Sequence, residues 1–472
     1  MRRLALTFLA AAAGCCPTSG VISFPTSAGV PTAGQGGTAT SGVASGGTGS
    51  SATGASNGTG ATGAATAAGS SGGSTSTGAT SATGGTGTTA TTGAGSSGGT
   101  GQASGSAGSS GATSFTTLTV FAGQLGGQGY ADGSATDARF WAADGVVADG
   151  AGHVFVADTG GNTIREIDLA TGAVTTLAGL AAIYGSADGT GPAARFEEPY
   201  GLTYDGAGNL FVADTINDTI RQVVVATGAV TTIAGAAGAR GSADGAGTAA
   251  TFWYPEGIAS DGAGHLFVSD TNNCTIREID LTNGAAVTTL AGTAGSCTYA
   301  DGTGAAASFN LPNGLAYDGT ANLYVADSGN QVIRKIVVST GVVTTLAGTE
   351  GVTGSADGTG TAASFDTPNG VAWDGAGNLL VADSDNSTIR SVVATSGVVT
   401  TIAGSAQLQG FADGTGTAAT FHFPWGVGAD GAGHAYVADG YNDTVRQIVE
   451  ATGAVTTIGG LAPHEGHADA TG

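Results

Sequence analysis

Aspartate and arginine occur as pairs at one fixed spacing, a combination that could serve acid–base chemistry or ion pairing. In every pair the Asp precedes the Arg by seven residues. The six pairs are Asp158 and Arg165, Asp214 and Arg221, Asp270 and Arg277, Asp327 and Arg334, Asp383 and Arg390, and Asp439 and Arg446. Catalysis needs such a pair once, whereas a structural ion pair can serve in every repeat. We therefore expect these pairs to tie a turn in each repeated unit.

Two other recurring polar features have residue types that bind metals. The sequence Ala-Asp-Gly recurs around Asp132, Asp188, Asp244, Asp301, Asp357 and Asp413. It lacks the further carboxylates and the closing Glu of a calcium loop, so we expect a tight crossover between units. His153, His265 and His434 each follow an Asp-Gly-Ala-Gly turn in a different unit. We expect these histidines to be solvated turn residues.

The elements that position these residues repeat every 56 or 57 residues. In the second copy we predict strands A to D at 201–204, 209–214, 219–224 and 230–233, joined by Gly-containing turns. Strand B is apolar at consecutive positions, which indicates burial of both faces. Four short antiparallel strands per unit, stacked against their neighbours, form a propeller blade. Six A–B–C sets predict an all-β fold, a six-bladed β-propeller of four-stranded antiparallel blades.

The repeated sequence resembles a known family. Asn-Leu-Phe-Val-Ala-Asp-Thr at 209–215, followed by Asn217 and by Ile220-Arg221, is similar to the NHL repeat. Similar propellers act as binding platforms, as extracellular sensor domains and, less often, as lyases or lactonases, which hold a metal in the central channel. The resemblance implies the fold, and it does not select among these activities.

One position varies inside this constant frame, and we predict that it forms a ligand-binding surface at the channel mouth. It is the residue directly before the glycine of strand A. The six residues are Asp144, Tyr200, Glu256, Asn313, Asn369 and Trp425. Four of them carry carboxylate or amide oxygens, namely Asp144, Glu256, Asn313 and Asn369, so a divalent cation at the mouth is an alternative to an organic ligand. We predict no other cofactor and no catalytic residue.

The first 113 residues differ from the repeats. Arg2 and Arg3 precede an apolar stretch and Ala-Ala-Gly-Cys, so residues 1–16 resemble a bacterial lipoprotein signal with lipidation at Cys15. Residues 17–113 are almost entirely Gly, Ser, Thr and Ala without a charged side chain, and we predict a disordered linker. The propeller then occupies residues 114–472. An additional strand D copy near 116–121 competes with 455–458 for closure of the last blade.

Beyond the adjacent Cys15 and Cys16, the chain has two further cysteines, Cys274 and Cys297, both in the third unit. Cys274 falls in the predicted B–C turn and Cys297 in the D–A crossover. These two loops emerge on the same face of a blade, and in an exported protein a disulfide between them is expected.

The strongly negative charge of the chain limits the kinds of molecule that it can bind. The formal net charge is −23, which disfavours nucleic acid and anionic lipid. We expect an exported, lipid-anchored protein of the cell envelope that contacts the membrane only through its anchor. Its expected function is that of a binding scaffold for an unknown protein or carbohydrate ligand. A propeller hydrolase or lyase with a channel metal and a purely structural envelope protein are the alternatives.

Overall fold

The computed structural model describes residues 127–462, which form six antiparallel β-sheets. The predicted signal and Cys15, the linker 17–113 and the strand near 116–121 lie outside these residues. Blade 1 contains β1 (Gly133–Ser134), β2 (Ala143–Ala148), β3 (His153–Asp158), β4 (Thr163–Asp168) and β5 (Ala173–Gly179). Blade 2 contains β6 (Gly189–Thr190), β7 (Pro199–Tyr204), β8 (Asn209–Asp214), β9 (Thr219–Val224) and β10 (Ala229–Ala234). Blade 3 contains β11 (Gly245–Ala246), β12 (Pro255–Ser260), β13 (His265–Asp270), β14 (Thr275–Asp280) and β15 (Ala286–Ala291).

The second half of the ring repeats this pattern. Blade 4 contains β16 (Gly302–Thr303), β17 (Pro312–Tyr317), β18 (Asn322–Asp327), β19 (Val332–Val337) and β20 (Val342–Ala347). Blade 5 contains β21 (Gly358–Thr359), β22 (Pro368–Trp373), β23 (Asn378–Asp383), β24 (Thr388–Val393) and β25 (Val398–Gly404). Blade 6 contains β26 (Gly414–Thr415), β27 (Pro424–Ala429), β28 (His434–Asp439), β29 (Thr444–Val449) and β30 (Ala454–Gly460).

The loops between strands contain short 3-10 helices. They are Gly191–Ala193, Gly247–Ala249, Thr271–Asn273, Leu281–Asn283, Gly304–Ala306, Ser328–Asn330, Gly360–Ala362, Gly416–Ala418 and Gly440–Asn442. Among residues 127–462 no helix is long and apolar enough to cross a membrane.

Each blade has five strands, one more than the four that we predicted. The additional strand is the two-residue segment that follows each Ala-Asp pair, and it hydrogen-bonds to the outer side of strand D. In blade 2, Gly189 pairs with Val230 and Thr190 with Ala229. Two residues have no hydrophobic periodicity, so the sequence pattern could not reveal them. The segment occupies the backbone donors and acceptors of an edge that would otherwise be unpaired.

Every blade is built from one continuous stretch of chain. In the last blade β30 is strand D and pairs with β29 and with β26. The inner strands β2 and β27 contact each other and close the ring between blades 1 and 6. Residues 455–458 are therefore strand D of blade 6. Among the described residues, both edges of this strand are paired within that blade.

The core lies between the blades. A typical cluster combines Phe211 and Ile220 of blade 2 with Leu266 and Val268 of blade 3. Strand B is buried from its second residue onward in all six blades, as its uninterrupted apolar sequence indicated.

The repeated Asp–Arg pairs are structural, as expected, and each Arg has a second carboxylate partner. In blade 2 the fully buried Arg221 donates from Nη1 to Asp214 Oδ2 at 2.6 Å and from Nη2 to Asp188 Oδ1 at 2.7 Å. Its guanidinium lies 5.2 Å from the centre of the Phe196 ring. Burial raises the pKa of Asp214 to about 6, and the charge of Arg221 opposes this shift. Asp188 belongs to Ala-Asp-Gly, so that motif completes an arginine clamp in each blade.

Candidate binding site at the channel mouth

The six variable residues occupy equivalent places at the start of the innermost strands. In blades 2 to 6 strand A begins with Pro, the variable residue is second, and Gly is third. Blade 1 has Ala143 in place of the proline. Proline suits the first position because it cannot donate a backbone hydrogen bond there.

The glycine after each variable residue lets neighbouring inner strands approach closely. A Cβ atom on Gly201 would lie 2.2 Å from the carbonyl oxygen of Glu256 in the next blade. Equivalent overlaps of 2.0–2.6 Å occur at all six interfaces, including Gly426 against the carbonyl oxygen of Asp144 where the ring closes. No side chain larger than hydrogen fits at these distances. The glycines thus fix the width of the channel and point the preceding residues to its mouth.

All six predicted residues line one cavity, so the structure brings the complete set together. Its volume is about 60 Å³, which corresponds to about four water molecules. The remaining lining is Gly, Val, Leu and Ile, and no Lys, Arg or His is among the residues around it. A ligand of larger size would rest on the mouth and insert only one small group.

One half of the mouth is a chain of polar side chains. Asn313 Nδ2 donates to Glu256 Oε2 at 2.7 Å and lies 3.4 Å from Asn369 Oδ1. Asn369 Nδ2 in turn donates to Ser384 Oγ at 2.9 Å. This arrangement holds the carboxyl and both amides in fixed orientations at the channel.

The carboxyl of Glu256 has a strongly altered acidity. Burial raises its pKa to about 8, and the negative charge of Asp144 adds to the shift. Near neutral pH the group therefore retains its proton in much of the population, and a neighbouring cation would favour its ionised form.

The other half of the mouth is aromatic. The ring centres of Tyr200 and Trp425 lie 5.6 Å apart, with 56° between the ring planes. Phe423 contacts Trp425 at 5.5 Å and Tyr441 at 4.9 Å, and His422 contacts Tyr441 at 5.1 Å. This row of rings starts at the channel mouth and continues along blade 6, away from the channel.

Sequence reasoning missed the outer part of this row. Phe423 directly precedes the proline of strand A, a position that also varies between repeats. It adopts a left-handed backbone conformation with φ of 53°, as do the equivalent residues of the other blades. The variability at this second position was the signal that could have identified Phe423.

Among residues 127–462 no group of three or more His, Cys, Asp or Glu side chains is placed to hold a metal ion. Three histidines lie in the A–B turns, at the ends of the blades away from the channel mouth. They are His153, His265 and His434, and each forms a hydrogen bond of 2.7–2.9 Å with the Asp of its own turn.

The two cysteines of the third unit meet at the loops that were predicted to bring them together. Cys274 follows a 3-10 helix between β13 and β14, and Cys297 lies in the crossover to blade 4. Their Cα atoms are 5.3 Å apart and the sulfurs are bonded.

Comparison with known proteins gives partial matches along the sequence and broad matches in structure. The NHL repeat family matches residues 252–279. NHL repeat-containing protein 2 of Bos taurus is 39% identical over 137 residues, which is 27% of this chain and 19% of that protein. Protein SUPPRESSOR OF QUENCHING 1, chloroplastic, of Arabidopsis thaliana is 34% identical over 139 residues, or 28% of this chain and 13% of that protein. The chain thus spans a fifth or less of these relatives.

Solved structures from Bacteroides share the fold. A protein of unknown function from Bacteroides thetaiotaomicron has a TM-score of 0.53 at 21% identity, covering 70% of this chain and 73% of that one. An auxiliary nutrient binding protein from the same organism has a TM-score of 0.50 at 14% identity, covering 68% and 70%. At these identities the likeness concerns architecture alone. This chain is therefore a six-bladed β-propeller with a match to the NHL repeat at residues 252–279.

Proposed function

We propose that this chain is a binding module that holds a ligand at the mouth of its propeller channel. The proposal rests on the contrast between the constant residues that build the blades and the variable residues at the channel mouth. Six blades share the glycine, the arginine clamp and the strand register, while the residue before the glycine differs in size, polarity and charge. All six of these side chains line one cavity.

The arrangement of the mouth suits binding. Its two halves offer an aromatic surface and a chain of oriented polar groups, and pockets that combine both fix a ligand by contact area and by hydrogen bonds. Aromatic side chains are enriched among the residues that dominate binding energy. The auxiliary nutrient binding proteins of similar fold from Bacteroides are consistent with this function.

Removing the two central rings tests the proposal. The double variant Tyr200→Ala/Trp425→Ala should keep the melting temperature of the wild type and lose ligand. As the readout, the full chain is incubated with a small-molecule extract of spent culture medium, washed and denatured, and the released compounds are identified by mass spectrometry.

The matched control is Tyr184→Ala/Phe411→Ala, which removes two aromatic side chains that are 66% and 42% exposed and lie outside the cavity. This control should release the same compounds as the wild type. The proposal fails if wild type and double variant release the same compounds, or if the wild type releases none. The latter result would favour a structural envelope protein.

We place this module at the cell envelope, tethered through a lipid on Cys15. Support comes from the signal-like residues 1–16 and from the Cys274–Cys297 disulfide, because disulfides persist in oxidising compartments. Metabolic labelling with a palmitate analogue should mark the wild type and leave Cys15→Ala unmarked. Label on Cys15→Ala, or none on the wild type, would contradict the anchor and leave the channel-mouth proposal intact.

A further inference from the structure

The two rings at the mouth form a corner above blade 1. Tyr200 belongs to blade 2 and Trp425 to blade 6, and the inner strands of both blades contact β2 of blade 1. The rings nevertheless meet, with 5.6 Å between their centres and 56° between their planes. The two rings contact each other at a tilt, and Asp144 of blade 1 belongs to the strand between the two that carry them.

The electrostatics of this corner favour positive charge. The faces of Tyr and Trp rings carry the negative side of their quadrupole and attract cations. Asp144 and Glu256 add two carboxyl groups to the same cavity, and none of its lining residues is basic. The six clamp arginines are fully buried against their own aspartates, so they do not offset this potential at the mouth.

The composition and the size of the cavity discriminate between classes of cation. A divalent metal ion needs several oxygen ligands, but Asn313 directs its amide hydrogens toward Glu256 and only two carboxyls are present. Two aromatic rings in place of oxygen ligands suit an organic cation instead. A cavity of about 60 Å³ accepts a compact head group and leaves the rest of the ligand outside.

We infer that the channel mouth binds an organic ammonium group, held against Tyr200 and Trp425 with Asp144 and Glu256 as counter-charges. The inference rests on the proposed function and specifies its ligand class. The remainder of the ligand lies over Phe423 and Tyr441, which extend the aromatic surface outward from the corner. A neutral sugar could accept and donate hydrogen bonds at these carboxyl groups, but it would gain no charge–charge attraction to Asp144 and would not favour ionisation of Glu256.

A pair of probes that differ in charge tests the inference on the unaltered full chain. Choline and 3,3-dimethylbutan-1-ol have nearly the same shape, but only choline carries a positive charge. Titration calorimetry, with tryptophan fluorescence as a second readout, should show choline binding about tenfold more tightly than the alcohol, in line with a cation–π contact and a nearby carboxylate. Equal affinity for both probes, or no binding of choline, would overturn the inference.

Variants then locate the site. Trp425→Ala should weaken choline binding about tenfold, and Asp144→Asn should weaken it while leaving the affinity for the alcohol unchanged. Phe411→Ala, which removes an exposed ring outside the cavity, should bind choline like the wild type. Unchanged choline affinity in Trp425→Ala would place the binding elsewhere and overturn the inference.

The two proposals fail in distinguishable ways. If the wild type releases neutral compounds that Tyr200→Ala/Trp425→Ala does not, and choline does not bind, the channel mouth is a binding site and the ammonium class is wrong. If neither choline nor any extracted compound depends on these rings, both proposals are wrong.

Discussion

At the scale of single residues, Glu256 occupies a position that is repeated in every blade, but its surroundings give its carboxyl group an unusual acidity. The equivalent residues in the neighbouring blades are Tyr200 and Asn313, and neither introduces a positive charge beside Glu256. Burial and the charge of Asp144 therefore act on its carboxyl without a compensating cation, and its pKa rises to about 8.

This shift predicts a specific pH dependence of stability. An acid with a raised pKa binds its proton more tightly in the folded state, so the folded state loses stability as the pH rises from about 4.5 to about 8. Glu256→Gln should therefore gain stability relative to the wild type when melting temperatures at about pH 5 and about pH 9 are compared. Glu350→Gln, at an exposed loop carboxyl, should follow the wild type. Parallel curves for Glu256→Gln and wild type would contradict the prediction.

Glu450 is a second residue that departs from its repeat. The equivalent position holds Leu169, Val225, Leu281, Val338 and Ala394 in the other blades, and each packs against the core between two blades. Within residues 127–462 the buried Oε1 of Glu450 has no hydrogen-bond donor in reach. Burial raises the pKa of this carboxyl, and Asp374 and Asp430 contribute.

Replacing this carboxyl by a hydrocarbon should stabilise the protein. We expect Glu450→Val to raise the free energy of unfolding by about 1 kcal/mol at neutral pH, because it removes an unsatisfied buried group and restores the apolar contact. Urea denaturation measures the change. Glu350→Val removes the same charge at an exposed site and should change stability by less than about 0.5 kcal/mol. A lower urea midpoint for Glu450→Val would show that the carboxyl is stabilising.

At the scale of elements, the arginine clamp holds each blade together. One guanidinium joins the end of strand B, through its Asp, to the Asp of the crossover that forms the outermost strand. Its planar group also stacks on the Phe that precedes strand A, at 5.1–5.3 Å in all six blades. Four segments of a blade thus converge on one side chain.

Removing one clamp arginine should be costly. Arg334→Met leaves Asp327 buried without its counter-charge, and breaking such a pair costs roughly 3–5 kcal/mol. The neighbouring Lys335 is partly exposed on the same strand, so Lys335→Met is the matched control and should change stability by less than about 1 kcal/mol. Urea midpoints of the two variants provide the comparison. Similar midpoints would mean that the clamp contributes little to stability.

The Cys274–Cys297 bond joins the B–C turn of blade 3 to its crossover. It closes a loop with a sequence separation of 23 residues, for which the chain-entropy estimate is about 3 kcal/mol. Non-reducing peptide mapping of protein purified from its native source without reductant should recover both cysteines in one linked peptide. Reductant should lower the wild-type stability and leave Cys274→Ala/Cys297→Ala unchanged. Recovery of two free thiols would refute the bond.

At the scale of the whole molecule, residues 127–462 close the ring without exchanging a strand between the first and the last blade. Each described blade comes from consecutive residues, and β27 of the last blade packs on β2 of the first as any other neighbouring pair does. Where the described residues begin and end, Gly127 N donates to the carbonyl oxygen of Leu461 at 3.0 Å.

This closure predicts that the propeller is independent of the preceding residues. Elastase cleaves after small residues, which dominate 17–113, and it should leave a resistant fragment of about 350 residues that begins near Ser114. The fragment should retain the melting temperature of the full chain. Protection of residues 17–113, or a fragment that unfolds at lower temperature, would contradict the predicted linker and domain boundary.

The sequence by itself determined the features that every unit repeats. The 56-residue period set the number of blades, the uninterrupted apolar residues of strand B indicated burial on both faces, and the recurrence of Asp214 with Arg221 marked a structural pair. These features arise within one unit, where neighbours in sequence are neighbours in space. The single variable position before glycine was visible for the same reason.

Only the tertiary structure decided the contacts that join different parts of the ring. It brought Tyr200 of blade 2 against Trp425 of blade 6, placed Asp144 where it alters Glu256, and added the crossover Asp and the Phe to each clamp. The interacting side chains of each pair are separated by 25 to 225 positions, and no local pattern encodes their distance. Their proximity depends on the curvature and closure of the six-bladed ring, which result from packing all the blades together.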